Sequence, residues 1–223
     1  MNWQKYWMVR RKGNPASPLP HIVERYGAVM SAVGAELDDK GLDIFYPAML
    51  DPWARSALQT MDSIPLAVVL GATYRTKRWP TAYFLETLNQ LNRPVVLLGG
   101  KDAVAERDEL IKGLTVPVFD AVDRFSLLEA TALLNQCDEV LTHDTGFMHI
   151  AAALGKKVYS IWGNTVPTFG MTPYKTESVI FEHNDLDCRP CSKIGFDECP
   201  KGHFRCMKEI TPERVVKGMM GKR

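Results

Sequence analysis

The chain lacks the two glycine signatures that most directly announce a bound nucleotide. Neither Gly-x-Gly-x-x-Gly nor Gly-x-x-x-x-Gly-Lys-Ser/Thr occurs in its 223 residues, which removes the main signals of dinucleotide oxidoreductases and P-loop phosphotransferases. An excess of one charge is missing too. The 27 Lys and Arg stand against 26 Asp and Glu, a formal net charge of +1, so there is no electrostatic footprint for nucleic acid or anionic lipid. The longest apolar runs, such as residues 66–70, fall far short of the roughly 20 residues a membrane helix needs, as does the shorter run 95–98. The basic opening stretch, with Lys5, Arg10, Arg11 and Lys12, is not followed by the apolar segment of a secretory signal. Hydrolase elbows (Gly-x-Ser-x-Gly) and His-Glu-x-x-His zinc motifs are absent as well. These absences describe a cytoplasmic protein with no nucleic-acid partner.

What is present is a regular alternation of strands and helices. Residues 1–20 are basic and then turn-rich, with Gly13, Asn14, Pro15, Pro18 and Pro20. Over 21–34, Ile22, Val23, Tyr26, Val29, Met30 and Val33 recur at the three-and-four spacing of an amphipathic helix. Residues 38–63 read as loop, a short strand at 44–46 and a helix through 53–58. From residue 64 strands are predicted at 66–70, 94–98, 116–119, 139–142, 157–162 and 178–181. Helices are predicted at 80–91, 102–112, 126–136 and 145–154, with a closing helix capped by Thr211. Ser126 with Glu129 forms a capping box. This order predicts an α/β fold with a Rossmann-like parallel sheet and helices on both faces. The predicted division is a partial N-terminal region at 1–62 and one domain at 63–223. In such folds ligands sit beyond the carboxyl ends of the strands.

Two of the loops there carry anion chemistry. His143-Asp144-Thr145-Gly146-Phe147-Met148-His149 ends a strand and opens a helix, where backbone N–H groups and the dipole favour a phosphate. His149 lies one turn on, over Thr145. The plain alternative is that Asp144 only caps the helix and His149 only packs. The second loop, from Gly71 to Pro80, holds Thr73, Thr76, Arg75, Lys77 and Arg78. Lys77 there suits a phosphate leaving group, or the run is a solvated basic turn. After Gly99-Gly100, Asp102 (or Glu106) is a candidate for ribose hydroxyls or a helix cap. The five cysteines are unevenly spread: Cys137 stands alone, and Cys188, Cys191, Cys199 and Cys206 share one stretch. That stretch loosely matches a structural zinc site. Reduced buried thiols or a disulfide are the competing readings.

Taken together, these segments resemble glycosyltransferase family 9, the heptosyltransferases of lipopolysaccharide inner-core synthesis. The resemblance is carried by Gly71-Ala72-Thr73, by Thr76-Lys77-Arg78-Trp79-Pro80 and by residues 96–100. It continues through residues 144–155, Trp162-Gly163-Asn164-Thr165-Val166-Pro167 and the cysteine segment. It implies the C-terminal half of a GT-B fold, which binds a nucleotide sugar, typically ADP-heptose. Thr73 and Lys77 would contact the donor diphosphate, with Lys77 offsetting charge on the departing ADP as the catalytic residue. Asp144, Thr145, Gly146 and His149 would form the second donor wall, and Asp102 the ribose contact. Transfer would be inverting, to a lipopolysaccharide core acceptor, with no cofactor and no metal, by a protein associating peripherally with the inner membrane. Nothing before His21 resembles the family's acceptor domain. No candidate aspartate base precedes Asp38, so most of that domain is expected to be missing. A non-catalytic nucleotide-sugar-binding module is the main alternative, and an unrelated Rossmann-like protein with a zinc ribbon a third.

Overall fold

A computed structural model describes residues 2–11 and 19–221. The turn-rich reading of Gly13, Asn14, Pro15 and Pro18 lies outside the described residues. One sheet holds six strands: β1 (Leu66–Val69), β2 (Val95–Leu98), β3 (Val118–Asp120), β4 (Glu139–His143), β5 (Lys157–Trp162) and β6 (Ser178–Glu182). All pairings are parallel, in the order β3-β2-β1-β4-β5-β6. The chain steps outward from β1 to β3 and then returns to β4. The topological switch point therefore lies between β1 and β4, where a crevice opens at the carboxyl ends of the strands.

Helices cover both faces. They are α1 (Asn2–Arg11), α2 (Ile22–Met30), α3 (Leu50–Ala57), α4 (Thr81–Leu91), α5 (Val104–Gly113), α6 (Leu127–Asn135), α7 (Gly146–Ala153), α8 (Arg205–Lys208) and α9 (Pro212–Met219). Alternate strand residues divide the core in two. Leu66, Val68, Leu97 and Ile161 pack with Phe84 and Leu88 of α4, Leu110 of α5 and Val215 of α9. Ala67, Val69, Leu98 and Val140 pack with Ala54 of α3, Leu133 and Leu134 of α6, and Met148 of α7. Every residue of β1 and β2 is buried, so both strands read as continuous apolar runs instead of alternating. Each such Val or Leu contributes about 1.5–3 kcal/mol of burial. The capping box on α6 is formed: Ser126 Oγ accepts from the Glu129 N–H, and the Glu129 carboxylate accepts from the Ser126 N–H. Thr211 caps α9 through the Arg214 N–H, with Pro212 in its first turn.

Three local expectations are corrected. Residues 2–11, read only as a basic stretch, are helical. α1 buries one narrow edge, Met8 against Val166 and Phe169, and leaves Trp3, Tyr6 and Trp7 exposed, so no stripe shows in its sequence. Residues 44–46 form no strand. Tyr46 is instead tied by its hydroxyl, which donates to Asp51 Oδ1 (2.8 Å) and accepts from Asn135 Nδ2 (2.8 Å). α2 forms as predicted but turns its apolar stripe outward. Tyr26, Val29, Met30 and Val33 are exposed, while Arg25 and Gly27 are buried. Polar anchors decide that orientation. His21 bonds the Thr172 carbonyl (2.9 Å) and stacks on Tyr174, and Arg25 Nη2 donates to the Phe169 carbonyl (3.4 Å).

Candidate active site

The crevice at the switch point contains a cavity of about 250 Å³. The loop after β1 contributes Gly71, Ala72, Thr73 and Lys77 to its lining. Gly99, Gly100 and Asp102 follow β2, and Asp144, Thr145, Gly146 and Phe147 follow β4. Such a volume is below the roughly 300–1,000 Å³ of a whole drug-sized ligand site, so it suits one portion of an extended ligand.

Two features give this cavity its chemistry. Lys77 Nζ pairs with Asp144 Oδ2 at 2.6 Å and reaches the Asp144 carbonyl at 3.3 Å. Beside the pair, α7 begins at an N-cap, Thr145, whose side chain makes no capping bond. The space where a Gly146 Cβ would stand is open. The first N–H groups of α7 therefore face the crevice without a side-chain partner, a positive end that suits an anion. Asp144, expected as a possible cap, is not one, because its carboxylate is taken by Lys77 and by the Thr165 hydroxyl (2.9 Å).

Asp102 caps no α-helix either. It lies in a short 3-10 turn, Lys101–Ala103, and its carboxylate pairs with Arg78 at 2.8 Å. Arg78 was counted in the sequence only as one loop cation, yet it braces the whole edge. It donates to the Ala72 carbonyl (2.9 and 2.6 Å), the Asp102 carbonyl (2.9 Å) and Glu106 (3.1 Å). Glu106 also accepts from the Gly71 N–H at 2.8 Å. Gly71 has φ +71°, and a Cβ there would meet Asp102 Oδ2 at 2.7 Å. Only glycine admits this close approach of the two loops.

His143 closes the base of the site. It is fully buried; its Nε2 accepts from the Trp79 N–H (2.9 Å), and its Nδ1 bonds the Gly71 carbonyl (3.1 Å). That pairing requires the neutral ring with its proton on Nδ1. Burial lowers its pKa to about 4. His149 stands outside the cavity lining, as does Glu106. Burial lowers the pKa of His149 as well, against an opposing pull from Asp144.

In the cysteine segment, the described residues hold no group of three or more His, Cys, Asp or Glu side chains placed for a metal ion. Burial pushes the Cys206 thiol up to about 12, which disfavours the thiolate that a metal or an oxidant would need.

A six-stranded parallel sheet in this order, with its crevice at the switch point, defines a Rossmann-like α/β fold. The chain belongs to glycosyltransferase family 9 (heptosyltransferase), whose family model matches residues 3–200. It is 29% identical to lipooligosaccharide heptosyltransferase 2 of Campylobacter jejuni, over 66% of this chain and 47% of that protein. It is 30% identical to lipopolysaccharide heptosyltransferase 1 of Pseudomonas aeruginosa, over 92% of this chain and 60% of that one. The solved structure of Escherichia coli ADP-heptose lps heptosyltransferase II has the same fold, with a TM-score of 0.69 at 21% identity. That match covers 91% of this chain and 61% of the other. The chain thus spans about half to three fifths of the length of these relatives.

Proposed function

We propose that this chain is the donor-binding part of a heptosyltransferase that moves heptose from ADP-heptose to a lipopolysaccharide core acceptor. The observation that carries the reading is the Lys77–Asp144 pair set beside the uncapped start of α7 in one crevice. A diphosphate there would take the N–H groups of α7 and draw the Lys77 ammonium, which would offset charge on the departing ADP. Thr73 would add a hydroxyl to the same group, and Asp102 would face the ribose. Asp144, an acid beside an anion site, repels phosphate. Its use is to hold Lys77 until a diphosphate draws it away and then to meet sugar hydroxyls, with Thr145 and His149 beside it. The division at residues 62 and 63 between an acceptor-side segment and the donor domain belongs to this reading. So does action on the cytoplasmic side of the inner membrane, peripherally associated with it. Among the described residues no helix is long and apolar enough to cross a membrane.

Incubating the pure chain with ADP-heptose and a heptose-free core acceptor tests the proposal, with ADP release and acceptor mass as readouts. Release of ADP with a matching gain of one heptose is the expected result. Saturable binding without transfer would instead support a non-catalytic nucleotide-sugar-binding module.

A further inference from the structure

Among the described residues the cysteine segment has no side-chain group placed for a metal ion, yet its backbone is bonded to both loops that meet at Asp144. Residues 189–191 take up four consecutive carbonyls, from the last residue of β5 into the loop after it. Arg189 Nε donates to Gly163 (2.5 Å), and its Nη2 donates to Trp162 (3.4 Å) and Thr165 (2.8 Å). The Cys191 N–H donates to Asn164 (3.1 Å). Arg189 is itself buried, and its remaining charge faces Glu182 at 3.1 Å. A planar fork of five donors suits this task, and a lysine would not. A few residues on, Phe196 exchanges bonds with Thr76: its carbonyl accepts from the Thr76 hydroxyl (2.8 Å) and its N–H donates back to that hydroxyl (2.8 Å). The two loops are also pressed together, since a Cβ on Gly163 would meet the Thr76 carbonyl at 2.7 Å. As a result Thr165 and Lys77 arrive at the same oxygen, Asp144 Oδ2.

We propose that Thr165 is a positioning residue of this site, set by the strap of residues 189–191, which holds the Asp144 carboxylate when Lys77 leaves it for an anionic ligand. The proposal rests on the donor-binding reading above. Asp144 Oδ2 accepts from both Lys77 and Thr165. An incoming diphosphate competes with that carboxylate for the ammonium. The Asp144 side chain is 11% exposed, so losing its cation without another donor carries a desolvation cost. The Thr165 hydroxyl keeps one bond in place through the exchange. Without it, Asp144 depends more heavily on Lys77, and the diphosphate competes less well.

Calorimetric titration of ADP into the chain, comparing wild type, Thr165→Val and Thr165→Ser, tests this. Thr165→Val keeps the shape and removes the donor, and it is expected to weaken ADP about tenfold. Thr165→Ser restores the hydroxyl and is expected to return affinity to within about threefold of wild type. If Val binds as wild type does, or Ser is as weak as Val, Thr165 only packs and the proposal falls. A wild-type chain that binds neither ADP nor ADP-heptose overturns the donor-binding reading itself, a distinguishable outcome. Should the Val protein lose its cooperative melt, Thr165→Ala against Thr165→Ser makes the same comparison.

Discussion

Lys77→Ala is expected to weaken ADP binding by roughly ten- to a hundredfold, the value of a hydrogen bond to a charged group of about 1.5–3 kcal/mol. The unfolding free energy should stay within about 1 kcal/mol of wild type. The two effects separate because of where the pair stands. Lys77 and Asp144 form a 2.6 Å ion pair with side chains 16% and 11% exposed, at the wall of an open crevice. Removing the ammonium leaves Asp144 bonded to Thr165 and in reach of water from the cavity, so little folding energy is lost. The anion site loses its mobile cation, and the helix N-terminus alone remains. Titration calorimetry and urea unfolding on the same preparations check both halves. Unchanged affinity would remove Lys77 from the donor site, and a collapsed fold would make the pair a structural one.

Acid should weaken the fold through His143. In the folded chain its ring stays neutral down to a pKa of about 4, whereas the ordinary value is 6.5. Between those values the unfolded chain binds the proton and the folded chain does not, so stability rises with pH across that window. The contribution is fully present above about pH 6.5 and is lost as pH falls toward 4. At about 1.4 kcal/mol per pKa unit it amounts to about 3 kcal/mol in all, and about 2 kcal/mol between pH 7 and 5. The structural reason is explicit: a protonated Nε2 cannot accept from the Trp79 N–H. Carboxylates titrate in the same range, so the measurement is the difference between wild type and His143→Gln, by urea unfolding at pH 7 and pH 5. The variant should lose about 2 kcal/mol less than wild type over that interval. Equal losses in both would show that His143 does not carry the effect.

Local signals explain why much of the architecture was legible. β1 and β2 fall within the predicted strands 66–70 and 94–98 because a buried parallel strand is written in consecutive apolar positions. Ser126 with Glu129 declared the start of α6, and Thr211-Pro212 the start of α9, by side chains that bond their own neighbours. The crevice loops were legible as loops because each follows a strand. The illegible parts are those where a distant partner outbids a near one. Asp144 stands where a cap belongs, but Lys77, 67 residues away, and Thr165, 21 residues away, claim its carboxylate. Asp102 likewise turns to Arg78 instead of its own helix. α2 has the spacing of a core-facing helix, yet His21 and Arg25 fix it by its polar side. Arg189 sits inside a cysteine motif that suggested metal, while its bonds reach back to β5. Pairings across such separations leave no periodicity in the sequence.

If the crevice between β1 and β4 takes the diphosphate of a nucleotide sugar, a crystal structure of the chain with ADP will place that diphosphate at the start of α7. It is expected within hydrogen-bond reach of the Gly146 backbone N–H, with Lys77 Nζ moved from Asp144 onto a phosphate oxygen. ADP bound elsewhere, or bound here with the Lys77–Asp144 pair still closed, would overturn the donor-site reading.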